Sequence, residues 1–243
     1  MPTPSRSLEE TDAVPGRPIP ARGRGAVVEV MGPAGAGKTS LAQALARMDP
    51  RVRVGFDVAR RAWFPRVLSA HVRLLPPWLA RRPRGRWFTW NELKSMAFLE
   101  AWLPAARRAE PGTVTVVDHG PVYRLARLAG SGPEVVASER FRRWWDRCLV
   151  GWLDVLDLVV HLDAPDEALL ERVERRGHWF LGAERPQGEK RAFLDRYRAW
   201  FEAVLASADA RLRVLRLRSD RMGPEDLARE VLRALADLGE GAP

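Results

Sequence analysis

Gly32-Pro33-Ala34-Gly35-Ala36-Gly37-Lys38-Thr39 is the stretch that decides the fold. Ahead of it runs Ala26-Val27-Val28-Glu29-Val30-Met31, an apolar segment that reads as a buried strand. Behind it, Ser40-Leu41-Ala42-Gln43-Ala44-Leu45-Ala46 has the composition of a helix. The eight residues satisfy G-x-x-x-x-G-K-[ST], and their flanks provide the strand and helix of a phosphate-binding loop. Its glycines let the backbone wrap closely round a polyphosphate, with consecutive N–H groups pointing inward. The helix that starts there adds its positive N-terminal end. Lys38 can reach the β- and γ-phosphates, and the Thr39 hydroxyl can ligand Mg²⁺. The nucleotide-contacting residues read from this motif are Gly32, Pro33, Ala34, Gly35, Ala36, Gly37, Lys38, Thr39 and Ser40. A chance match is made rarer by the chain's having three lysines in all, Lys38, Lys94 and Lys190.

Working outward, 243 residues suffice for one α/β domain with a substantial core. The hydrophobic fraction is 46%, yet no uninterrupted apolar run approaches a membrane span, and the N-terminus lacks the apolar region of a signal peptide. A lone cysteine, Cys148, excludes an internal disulfide framework and fits a reducing cytoplasm. The net charge of +9 is carried mostly by arginine. A GC-rich genome and an anionic substrate explain that bias better than nucleic acid, which would want a clustered basic face.

Residues 1–24, rich in Pro, Ser, Arg and Gly, read as a disordered arm, and 25–240 as the folded domain. A second strand is expected at 51–56, delivering Asp57 to its C-terminal end, where ligands of open α/β sheets gather. Asp57 equally suits the N-cap of a helix starting near Val58. Residues 58–112 form a long helical insertion on the substrate side, with a basic, aromatic segment at 81–90. That segment could stack on a base, grip a phosphorylated substrate, rest on an acidic surface, or tuck its tryptophans against the core.

Thr113-Val114-Thr115-Val116-Val117 is the cleanest strand, and it ends in Asp118. Asp118 would stand beside the phosphate loop, able to hold Mg²⁺ or to take a proton from an acceptor hydroxyl; a turn-initiating role before Gly120-Pro121 is the alternative. Helix 134–153 carries an aromatic stripe (Phe141, Trp144, Trp145, Trp152) that belongs in a core, and His161 is a packed residue of strand 157–163. Arg172, Arg175 and Arg176 close the next helix ahead of a polar stretch, which suggests an arginine-bearing lid over 176–190 or a solvated helix end. A fifth strand is expected at 212–217 and a last helix from Pro224. The alternation of strands and helices predicts a parallel sheet with helices on both faces.

The phosphate loop 32–39, Asp118 at the end of the third strand, the strand Val159-Val160-His161-Leu162-Asp163-Ala164-Pro165 and the arginines after it together resemble P-loop kinases, nearest the thymidylate kinase and deoxynucleoside kinase branch. The resemblance spans residues 26–238. It implies a three-layer α/β/α fold with a five-stranded parallel sheet in the order 2-3-1-4-5, ATP as phosphoryl donor and an essential Mg²⁺ at Thr39 and Asp118. It also implies transfer-stabilising roles for Lys38 and for lid arginines, here Arg172 and Arg176. Two departures concern the acceptor: Asp118-His119 stands where those kinases have Asp-Arg or Glu-Arg, and Asp57-Val58 where they have Glu-Pro.

The function expected is an ATP-dependent small-molecule kinase of the cytoplasm, with Asp57 or Asp118 as the base. The alternatives are a regulatory P-loop NTPase switch and a nucleic-acid-associated ATPase. A homodimer is an open assembly state.

Overall fold

The structure is a computed structural model and describes residues 23–56, 86–176, 186–208 and 211–240, together with Pro65, Leu68, Ser69 and Val72. The expectations for Asp57, for nearly all of the first half of the insertion (58–85), for the lid stretch 177–185 and for nearly all of the N-terminal arm lie outside these residues. Arg24, assigned by sequence to that arm, instead donates to both carboxylate oxygens of Asp157, at 2.8 and 3.1 Å.

Strand β1 (Ala26–Met31) is buried along its whole length, because it is central in a five-stranded sheet of order β2-β3-β1-β4-β5. β2 (Val52–Val54) and β3 (Val114–Asp118) lie on one side of it, β4 (Leu158–Asp163) and β5 (Val214–Arg218) on the other. All four pairings are parallel, as the alternation of strands and helices requires. Register aligns Val30 with Asp118 and Met31 with His161, so the strand ends gather at one edge.

Side-chain alternation along β1 divides the core in two. Ala26, Val28 and Val30 join the layer under α1 (Lys38–Met48), α5 (Asp166–Arg175) and α7 (Pro224–Glu240). Val27 and Met31 face the opposite layer, formed by α2 (Trp90–Arg107), α3 (Pro121–Ser131), α4 (Glu139–Leu153) and α6 (Gln187–Ala208). Glu29 shares the parity of that second face but is a carboxylate, fully buried.

Several boundaries differ from expectation. β2 is three residues long because Gly55, at φ 83°, turns the chain out of the sheet. A single helix at 134–153 is replaced by a 3₁₀ turn, Glu134–Ala137, and α4, which starts where the Ser138 hydroxyl accepts the Phe141 N–H at 3.2 Å. Helix α3 was not expected at all. Pro121 occupies its first turn, and Val122, Leu125 and Leu128 repeat at helical spacing, all buried.

The described part of the basic, aromatic segment belongs to the core's edge. Phe88 is buried, Trp87 packs against the same cluster, and Arg86 forks onto Glu92 at 2.6 and 2.7 Å. Thr89 and Glu92 form a capping box that starts α2.

Phe141, Trp144 and Trp152 of the stripe on α4 are buried, and Trp145 is partly buried against the same cluster. Trp152 has no exposed surface, and its indole N–H donates to the Leu99 carbonyl of α2 at 3.1 Å. Trp152→Ala opens a cavity and removes that hydrogen bond. It lowers the unfolding free energy by about 3–5 kcal/mol, read from urea titration; an unchanged midpoint would refute this account of the α2–α4 packing.

Candidate active site

The phosphate loop follows β1 directly, and its shape depends on how closely neighbouring backbone approaches it. Gly32 has φ 146° and Gly35 φ 83°. A Cβ on Gly32 would run into the Leu162 carbonyl of β4, and one on Gly35 into the Leu169 carbonyl of α5. Only glycine meets both demands at these two positions.

Lys38 is buried, and its ammonium donates to the Gly32 and Pro33 carbonyls, each at 3.0 Å. Burial pulls its pKa from 10.5 to about 8, with nearby Asp118 opposing the shift and Arg176 adding to it. Next in sequence, the Thr39 hydroxyl donates to Asp118 Oδ2 at 3.0 Å. The end of β3 and the start of α1 are thereby joined.

Asp118 Oδ1 is buried without a hydrogen bond, although His119 Nδ1 is 3.4 Å away. His119 adopts a left-handed backbone (φ 56°) and packs its ring 4.2 Å from that of Tyr123. Burial, and secondarily Lys38, lowers its pKa to about 4, so the imidazole is neutral at pH 7.

The three arginines of α5 separate. Arg172 donates to the Ser219 hydroxyl and carbonyl, both at 2.9 Å, and to the Gly35 carbonyl at 3.3 Å, so it braces the phosphate loop against the segment after β5. Arg175 faces Glu171 at 3.6 Å. Arg176, at the helix C-cap, is exposed and close enough to act on Lys38 electrostatically.

A hard divalent cation fits this corner. The Thr39 hydroxyl and the unpartnered Asp118 Oδ1 are oxygen donors of the type Mg²⁺ prefers. Among the described residues no cluster of three or more His, Cys, Asp or Glu could hold a metal alone, so phosphate and water would complete the coordination.

A family model described as "AAA domain" matches residues 27–204, well over half the chain. The chain belongs to that AAA-domain family. Among solved structures, deoxyadenosine kinase from M. mycoides with bound dATP superposes with TM-score 0.50 at 11% identity, covering 86% of this chain and 98% of that one. Thymidylate kinase from Candida albicans superposes with TM-score 0.50 at 15% identity, covering 88% and 92%. Shikimate kinase from Acinetobacter baumannii in complex with shikimate gives TM-score 0.47 at 15% identity, with 88% and 94% covered. No curated protein matches the chain in sequence. The fold is that of the P-loop nucleoside and nucleotide kinases.

In this AAA-domain chain one residue of the site escapes sequence reading. Glu29, three residues before the loop, looks like an interruption of an apolar strand. Its carboxylate accepts the Val122 N–H at 2.7 Å and the Tyr123 N–H at 2.8 Å, fixing the start of α3 and with it the Asp118–Gly120 turn. A charged residue at the centre of a buried strand, ahead of an unrecognised helix N-terminus, was the available clue.

Burial raises the Glu29 pKa from 4.5 to about 7, against the pull of the two N–H donors and Arg124. Between those values the folded state retains a proton that the unfolded chain releases. The associated stability is complete below about pH 4.5 and lost as pH rises through 7. Glu29→Gln does not titrate, so the wild-type chain loses about 3 kcal/mol relative to the variant across that interval. Urea unfolding at stepped pH measures the difference; parallel profiles would contradict it.

Proposed function

We propose that the chain is an ATP-dependent phosphotransferase that moves the γ-phosphoryl group to a small-molecule acceptor. The observation that carries this reading is the 3.0 Å hydrogen bond from Thr39 to Asp118, which joins a phosphate loop to a carboxylate at the end of the adjacent strand. Loop amides from Gly32 to Ser40 would bind the phosphates, with Lys38 exchanging its bonds to the Gly32 and Pro33 carbonyls for phosphate oxygens. Thr39 and Asp118 would hold Mg²⁺, which when bound neutralises charge on the β- and γ-phosphates.

Arg176 suits stabilisation of the transferring group, being exposed and near Lys38. Arg172 suits an indirect role, since its guanidinium is committed to Ser219 and Gly35. With Asp118 engaged by Thr39, Asp57 is the better candidate to accept the acceptor's proton. Asp118 stays the alternative base. Catalysis of this kind is positioning and electrostatics, and no covalent intermediate is needed.

Lys38→Met and Asp118→Asn test the assignment in a coupled ADP-release assay over nucleosides, nucleotides and hydroxy acids. Each lowers kcat by roughly a hundred- to a thousandfold, and Asp118→Asn leaves ATP affinity within about threefold. Full turnover in either variant would remove that residue from the mechanism. ADP release that is independent of any acceptor would favour an NTPase switch.

A further inference from the structure

Helix α5 presents two faces with different partners. Leu169, Arg172 and Arg176 recur at i, i+3 and i+7, so they share one side of it. That side meets the phosphate loop: the Leu169 carbonyl limits Gly35, and Arg172 donates to the Gly35 carbonyl at 3.3 Å. Arg176 stands one turn beyond Arg172, and its backbone is still helical at the C-cap. The helix therefore carries its guanidinium past the loop, on the side where bound phosphates would lie.

The opposite face carries Glu167 and Glu174, two turns apart, and both reach α6. Arg191 donates to Glu167 at 2.7 Å, but both side chains are more than half exposed, so that pair holds little. Lys190 is different. Its side chain is 3% exposed, its ammonium donates to Glu174 Oε1 at 2.8 Å, and Glu174 is its one ion-pair partner among the described residues. One turn along α6, Leu194 is fully buried in the layer it shares with Leu169 and Leu170. A buried ammonium is costly unless a carboxylate meets it, so this pair stays closed while α6 stays packed. It ties the last turn of α5, two residues before Arg176, to a rigid neighbour.

We propose that Lys190 is a positioning residue: by gripping Glu174 it holds the end of α5 so that Arg176 faces phosphates bound in the loop. It acts from the far side of the helix and through Arg176 alone. The inference rests on the phosphotransferase reading for the part Arg176 plays in turnover; the link from Lys190 through Arg176 to bound phosphate does not.

Calorimetry on the full chain with inorganic tripolyphosphate measures phosphate binding without any acceptor. Arg176→Ala and Lys190→Met each weaken it by roughly tenfold. The double variant is no weaker than either single one, because the second change acts on a contact already lost. Lys190→Arg, which can still reach Glu174, recovers part of the affinity. In the ADP-release assay Lys190→Met lowers kcat by roughly ten- to a hundredfold and leaves the acceptor KM within about threefold. It adds nothing in the Arg176→Ala background. A purely structural contribution would instead multiply with Arg176→Ala. The proposal is overturned if Lys190→Met binds tripolyphosphate like the wild type, if the two effects multiply, or if Arg176→Ala changes nothing. Should Lys190→Met fail to fold, Glu174→Ala, at a half-exposed side chain, takes its place in the same cycle. Shared loss of phosphate affinity with no ADP release from any acceptor would sink the phosphotransferase reading and keep the positioning role. ADP release with unaltered tripolyphosphate affinity in both variants would do the reverse.

Discussion

Everything at the candidate site depends on the parallel pairing of β1 with both β3 and β4. A strand flanked on each side has its backbone groups spoken for, and β1 is buried on both faces as well. Slippage by one residue would turn Val28 and Val30 into the layer occupied by Val27 and Met31, so register is strongly determined. That register sets Val30 against Asp118, and it thereby puts a carboxylate beside the loop that leaves β1 one residue later.

The same geometry removes water from the site, and the ionisable groups respond. Lys38 falls to about 8, His119 to about 4 and Arg124 to about 10, while Glu29 rises to about 7. Desolvation is the leading cause in all four, each group being pushed toward its neutral form. Such an environment favours a polyanionic ligand, which would draw the Lys38 pKa back toward its ordinary value. It also makes each hydrogen bond within it stronger than an exposed one.

How much of this was legible in the sequence varied with the range of the determining interaction. The phosphate loop, its flanking strand and helix, and Asp118 after a β-branched run are local patterns, and all stand where their residues predict. The order 2-3-1-4-5 followed from resemblance and is the observed one. Helix α3 was missed because Asp118-His119-Gly120-Pro121 reads as a turn, whereas that proline opens the helix. Glu29 and Lys190 were missed for a different reason: their partners are residues 93 positions away in one case and a side chain of the facing helix in the other. No spacing within the chain announces such contacts. Arg172 shows the converse, since a cluster of like residues in sequence proves to be three side chains with three separate partners or exposures.

The close approach of Gly32 to Leu162 and of Gly35 to Leu169 has a consequence for divergence. In both places the neighbour that shapes the loop is a carbonyl oxygen of the main chain. Any residue can supply one, so substitutions along β4 and α5 that preserve packing volume leave the mould of the loop intact. The glycines are tightly constrained and their neighbours loosely so. A chain built this way can share its architecture with kinases at 11% and 15% identity.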